Sequence, residues 1–124
     1  MIMNVDIYET QSNFLKAISH SNRLAILDIL RDGEQCVCHL EAVLNLRQAY
    51  ISQQLMVLKQ AELVDSRRDG LNLYYRVIKP EVFAIIDTLN LAMGIKKKTL
   101  NHANTDCPCP KCSEAVVKPQ LIQI

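Results

Sequence analysis

The hydrophobic period of this 124-residue chain changes at Glu62, and that change narrows the available folds more than any other feature. Upstream, apolar residues recur at helical spacing: Ile51, Leu55 and Leu58 stand at i, i+4 and i+7. Downstream, Leu63-Val64-Asp65-Ser66-Arg67 and Leu71-Asn72-Leu73-Tyr74-Tyr75-Arg76-Val77 alternate with period two. They flank Arg68-Asp69-Gly70, and Asp-Gly between alternating segments signals a β-hairpin. Pro80 then sits where a helix can start, and Val82, Phe83, Ile86, Leu89 and Met93 form an amphipathic stripe. Lys96-Lys97-Lys98 would close that helix favourably for its dipole.

Before Arg47 the chain predicts three helices. The first runs from about Ile7 to Ile18, with Phe14, Leu15 and Ile18 on one face. Ser19 or Ser21 can cap the second, which carries Leu24, Ile26, Leu27, Ile29 and Leu30 and stops near Gly33. The third is short, about Cys38 to Leu44, with Leu40, Val43 and Leu44 inward, and Asn45-Leu46 makes the turn. A helix from Arg47 to Ala61 follows. This order is a winged helix-turn-helix: mainly α, with a β-hairpin wing and extra terminal helices. Residues 1–100 form the predicted DNA-binding domain, and 101–124 a Cys-rich tail of prolines and polar residues. Neither an internal repeat nor a Gly-rich phosphate loop is present.

Composition agrees with one domain, since 124 residues with 49% hydrophobic content support a single core. No apolar run approaches a bilayer span, and the first residues lack a signal-peptide pattern, so a cytoplasmic protein with no membrane partner is expected. Five cysteines in a reducing compartment argue against a disulfide framework and for metal or redox chemistry. The net charge of +1 conceals a basic middle. Residues 45–79 hold six basic against three acidic side chains, whereas residues 1–44 hold three against six. The middle is where a phosphate-contacting surface would lie, although a solvated face has the same charge pattern.

The fourth helix buries Ile51, Leu55 and Leu58, which leaves Ala49 and Gln53 on the opposite side, flanked by Tyr50 and Ser52. That outer face is small, polar and hydrogen-bonding, as a major-groove helix requires. Gln53 can pair bidentately with adenine, and Ser52 can reach a base or a phosphate. Tyr50 and Gln54 can serve backbone or base edges, though packing against neighbours suits Tyr50 equally. Arg47 at the helix start and Arg67 and Arg68 in the wing are expected to hold phosphates, setting affinity and salt dependence.

Cysteine placement carries the second signal. Cys36-Val37-Cys38 opens the first helix of the motif, and Cys107-Pro108-Cys109-Pro110-Lys111-Cys112 lies near the far end. Thiolates select soft ions, so a pair inside a DNA-gripping element points to an ion that deforms it. In regular helix, residues two apart differ by about 200°, so both cannot pack inward as small apolar residues. Metal binding would then strain or unwind that helix start. Two sulfurs cannot complete a trigonal or tetrahedral site, and Cys107, Cys109 and Cys112 are the available donors. Roughly ten residues separate them from the last helix, and an extended chain covers ~3.3 Å per residue, enough to reach Cys36 and Cys38 of either subunit. Two separate sites are the alternative. Three or four thiolates suit As(III), Sb(III), Bi(III), Cd(II) or Pb(II), and no organic cofactor is indicated.

The segment Ser19 to Ile78 resembles the ArsR/SmtB family of bacterial metal-responsive repressors. The resemblance rests on Asn22-Arg23-Leu24-Ala25-Ile26-Leu27, Cys36-Val37-Cys38-His39-Leu40 and Tyr50-Ile51-Ser52-Gln53-Gln54-Leu55. Leu58-Lys59-Gln60-Ala61-Glu62-Leu63-Val64 and Tyr74-Tyr75-Arg76-Val77 complete it. It implies a homodimer paired through its first and last helices, repressing an operon for metal efflux or detoxification and losing DNA affinity when metal binds. It also favours a site in which terminal cysteines, often of the other subunit, complete the CxC pair. A dimer would place two recognition helices about one DNA turn apart, on an imperfect palindrome of double-stranded operator DNA.

Two positions depart from the family pattern. His20-Ser21-Asn22-Arg23 replaces the usual Asp-Pro-x-Arg before the second helix, so a different cap is expected. Asp87 is followed two residues on by Leu89, and later positions hold Leu100 and Ala103, so the zinc site that some members build there is expected to be absent. The closest rival is a redox or persulfide sensor of the same fold using the same cysteines. An enzyme is not expected: Cys109-Pro110-Lys111-Cys112 lacks the βαβ setting of a thiol oxidoreductase. His39 and His102 are not counted as ligands.

Overall fold

Helix α2 (Ser21–Leu30) is the centre of the molecule, because its Ile26, Leu27, Ile29 and Leu30 are all buried and need partners on several sides. The computed structural model describes residues 2–96. The tail cysteines Cys107, Cys109 and Cys112, together with Lys97 and Lys98, lie outside the described residues, as does the expected domain boundary near residue 100. Around α2 pack α1 (Ile2–Ile18), α3 (Val37–Leu44), α4 (Gln48–Gln60) and α5 (Glu81–Met93). Ala17, Ile18, Leu40, Ile51, Leu55, Leu58, Val82 and Ile86 supply the core side chains. Each fully buried Leu or Ile contributes about 1.5–3 kcal/mol of transfer free energy, so this cluster dominates stability.

Local chemistry sets the element ends. His20, rather than Ser19 or Ser21, caps α2: its Nδ1 accepts a hydrogen bond from the Asn22 backbone N–H at 3.1 Å. An imidazole nitrogen with a free lone pair does here what a hydroxyl usually does. Asn45 adopts a left-handed φ of 53° between α3 and α4, the conformation Asn tolerates at a helix C-terminus. Past α4, Leu63 N–H donates to Leu58 C=O at 3.0 Å with Glu62 at φ 61°, which turns the chain into the wing.

The wing, β2 (Val64–Asp69) and β3 (Asn72–Val77), forms one sheet with a short β1 (Gln35–Cys36) in the order β1-β3-β2. β2 and β3 pair from Val64↔Val77 to Asp69↔Asn72, which places Gly70 and Leu71 in the loop. Gly70 has φ 63°, so the hairpin turns one residue later than Arg68-Asp69-Gly70 suggested, with glycine at the position that needs positive φ. The two-residue β1 was not anticipated. It joins antiparallel to β3, Gln35↔Tyr75 and Cys36↔Tyr74, and so ties the start of α3 to the wing.

Helix α5 ends at Met93, where Gly94 takes a left-handed φ of 65°. Lys96 therefore follows the helix instead of closing its last turn. Helix α1 starts earlier than expected, at Ile2 instead of near Ile7. The architecture is a winged helix-turn-helix: α3 and α4 form the motif and β2–β3 the wing. Among the described residues no helix is long and apolar enough to cross a membrane.

Candidate nucleic-acid interface and thiol site

Helix α4 presents the face predicted from its sequence. Ile51, Leu55 and Leu58 are fully buried, while Arg47, Gln48, Ala49 and Gln53 are exposed and Ser52 is half-buried. Tyr50 and Gln54 are different. The Tyr50 hydroxyl accepts a hydrogen bond from Asn22 Nδ2 at 2.9 Å, and Gln54 Oε1 accepts one from Arg23 Nη1 at 2.7 Å. Both side chains thus brace α4 against α2.

Arg23 is the residue that sequence reasoning passed over. Its Nε donates to Ala17 C=O at 2.6 Å and its Nη2 to Lys16 C=O at 3.2 Å, a carbonyl that also accepts the Ser19 N–H, so the guanidinium caps the end of α1. One guanidinium therefore fixes α1, α2 and α4 relative to one another. The only available signal was its place in the Asn22-Arg23-Leu24 stretch, because its partners are 6 to 31 residues away.

The wing arginines also divide. Arg67 meets the Glu34 carboxylate through two parallel bonds, Nε to Oε2 at 2.8 Å and Nη2 to Oε1 at 2.7 Å, and lies 4.8 Å over the Tyr74 ring. The hydrogen bonds that Arg67 donates to Glu34 hold its pKa above the ordinary value against slight desolvation, with the charges of Glu34 and Asp69 adding to the effect. Its charge is already balanced. Arg68, next along β2, is exposed. Arg68→Ala is therefore expected to flatten the log K versus log salt slope for DNA by about one ion, and Arg67→Ala by clearly less. Anisotropy titrations at four salt concentrations would check this; equal slopes for the two variants would contradict it.

The thiol pair lies between these elements. Cys36 is the N-cap of α3, with extended backbone (φ −78°, ψ 157°), and its Sγ accepts a hydrogen bond from His39 N–H at 3.2 Å. Cys38 lies one residue into the helix. Because Cys36 stands outside the helix, the 200° argument does not apply: the Cα atoms are 5.3 Å apart and the two sulfurs meet in disulfide contact. No unwinding of the helix start is needed to bring them together, contrary to the expectation from helical geometry. Cys36 is buried against Tyr74, and Cys38 packs on the same pair. Among the described residues no group of three His, Cys, Asp or Glu side chains is placed to hold a metal.

Asp87 of α5 pairs with Arg31 at the end of α2. Its Oδ2 accepts a hydrogen bond from Arg31 Nη1 at 3.0 Å, Arg31 Nη2 lies in ion-pair contact with Oδ1 at 3.0 Å, and the guanidinium sits 4.7 Å over the Phe83 ring. Partial burial opposes the Arg31 charge, yet Asp87 and Asp28 keep its pKa above the ordinary value. The pair is a strut between α2 and α5.

Residues 20–66 match the family model of bacterial regulatory proteins of the arsR family. The arsenical resistance operon repressor of Staphylococcus aureus is 34% identical over 102 residues, covering 82% of this chain and 90% of that protein. The chain belongs to the ArsR family. A biofilm growth-associated repressor from Agrobacterium fabrum is 40% identical over 75 residues, which cover 60% of this chain but only 64% of that repressor. NolR from Sinorhizobium fredii superposes with a TM-score of 0.69 at 32% identity, over 76% of this chain and 94% of that one. This ArsR-family chain is thus a DNA-binding transcriptional regulator and not an enzyme. Its helix-turn-helix and wing are the parts that would meet DNA.

Proposed function

We propose that this ArsR-family chain is a cytoplasmic repressor that grips operator DNA as a homodimer and releases it when a thiophilic ion binds its cysteines. The observation that carries this reading is the convergence of the Cys36 and Cys38 sulfurs at the junction of α3 with the wing. Two soft donors already share one small volume there. Cys107, Cys109 and Cys112 would complete the coordination: three sulfurs for As(III) or Sb(III), four for Cd(II), with Pb(II) also accepted. On DNA, Gln53 and Ser52 would read bases and Arg47 and Arg68 would hold phosphates. Tyr50, Gln54 and Arg67 would act from positions set by their bonds to α2 and Glu34.

The dimer reading rests on apolar surface left open by the single chain. Ile7, Tyr8 and Leu15 of α1 and Ile85, Leu89 and Met93 of α5 are exposed, and a groove of about 540 Å³ opens between these helices, lined in part by Phe14, Leu15 and Ile85. Apolar surface of this extent normally marks a protein interface. Pairing there would set two α4 helices against successive major grooves, on an imperfect palindrome.

Fluorescence anisotropy of the reduced protein on its own promoter DNA, titrated anaerobically with As(III), Cd(II), Pb(II) and Zn(II), tests the reading. Release by thiophilic ions, with little response to Zn(II), is expected. Tight binding untouched by every ion would overturn it.

The disulfide contact between Cys36 and Cys38 favours a second reading, a redox sensor. Peroxide would take two electrons and two protons from the paired thiols, forming the S–S bond and two waters. Release by peroxide but not by metal ions, reversed by dithiothreitol, would select it.

A further inference from the structure

We infer that the backbone of operator DNA closes the pocket in which the thiol pair sits, so that DNA and the inducer compete for one place. This rests on the reading of α4 and the wing as the DNA-binding surface. Cys36 and Cys38 line a cavity of about 180 Å³. Its polar walls come from both parts of the DNA-binding surface, Gln48 and Ser52 from α4 and Arg68 and Asn72 from the wing, while Val37, Leu71 and Leu73 supply the apolar remainder. The lining holds one cation, three uncharged polar side chains able to donate hydrogen bonds, and no acid. That is a setting for a phosphodiester, whose charge Arg68 would meet while Ser52, Gln48 and Asn72 bond its oxygens.

Position agrees with composition. When a recognition helix lies in the major groove and the wing lies beside it, the DNA backbone must pass between them. In this molecule the space between them is the mouth of the cysteine pocket. Cys36 is almost wholly buried, with β1 held on β3, so the protein itself covers its far side. A phosphate seated over Ser52 and Arg68 would cover the near side. Inducer bound at the sulfurs would in turn occupy the space and charge balance that the phosphate needs.

The consequence is an order of events: the ion is captured by free repressor and does not strip a bound one. Its signature is kinetic. The rate of DNA release should level off, as the As(III) concentration rises, at the spontaneous dissociation rate measured by chase with unlabelled operator. A rate that keeps climbing past that value would overturn the inference while leaving a metal-responsive repressor intact.

A second readout does not depend on metal. The reduced full-length protein is alkylated with N-ethylmaleimide with and without operator, and tryptic peptides are quantified by mass spectrometry. The peptide spanning residues 32–47 carries Cys36 and Cys38 and no other cysteine. With DNA at about 100 times its Kd, its modification should slow about a hundredfold, in line with the fraction of protein left free. Unchanged modification in a complex shown by anisotropy to be saturated would refute the shared pocket. Failure to bind DNA at all would instead refute the functional reading on which it rests.

Discussion

Ile85→Glu and Leu89→Glu are each expected to give a folded monomer that has lost about 10²- to 10⁴-fold in operator affinity. The two side chains lie one turn apart on α5 and are 40% and 46% exposed in the single chain, whereas Val82 and Ile86 on the inner side are 0% and 9% exposed. A carboxylate on the outer side therefore costs the isolated fold little. In a symmetric dimer each substitution appears twice, and an unpaired charge buried at a contact is expensive. Affinity falls because the second half-site is no longer linked to the first, and linkage of this kind supplies the quoted factor. Sedimentation velocity would show the mass, circular dichroism melting the intact fold, and anisotropy the lost affinity. A dimer that survives both substitutions would mean that the subunits pair elsewhere.

The second large effect belongs to the thiol pair. Cys36→Ser combined with Cys38→Ser is expected to leave DNA binding near the wild-type level and to abolish release by thiophilic ions. Serine suits the Cys36 position structurally, because its hydroxyl can replace Sγ as acceptor of the His39 N–H and is among the preferred N-caps. A hydroxyl pair has little affinity for soft ions. The ion-driven loss of DNA affinity, at least ~5-fold in the unsubstituted protein, should collapse to no change. Anisotropy with and without As(III) or Cd(II) measures this directly. Normal metal-driven release by the double variant would remove Cys36 and Cys38 from the mechanism and leave the tail thiols as the sensor. The same variant separates the redox reading, since it should also become insensitive to peroxide.

Most of the architecture was legible because it is encoded locally. The 3.6-residue repeat of Ile51, Leu55 and Leu58 and the alternation through Leu73 and Tyr75 depend only on neighbours a few residues away. Asp69-Gly70 located the hairpin to within one residue. The boundaries that moved did so for identifiable reasons. Gly94 stops α5 before the lysines, and His20 supplies a cap that a hydroxyl was expected to provide.

The interface residues were legible as a set but not in their division of labour. Tyr50, Gln53 and Gln54 are all polar residues near the outer side of one helix, and the sequence offers no means of ranking them. The ranking comes from Asn22 and Arg23, 28 and 31 residues distant, which engage Tyr50 and Gln54 and leave Gln53 exposed. Arg67 and Arg68 are adjacent and chemically identical, yet Glu34, 33 residues upstream, neutralises only the first.

By itself, then, the sequence determined the helices, the wing, the basic middle and the presence of two sulfurs at the start of α3, because periodicity, turn chemistry and composition are properties of short segments. Tertiary structure decided where those sulfurs point and what surrounds them. Pairing of Gln35-Cys36 with Tyr75-Tyr74 holds Cys36 extended, and only an extended Cys36 lets its sulfur meet that of Cys38. The physical reason is that a backbone hydrogen bond to a strand nearly forty residues downstream leaves no mark in the local pattern, yet it fixes the dihedrals that aim the side chain.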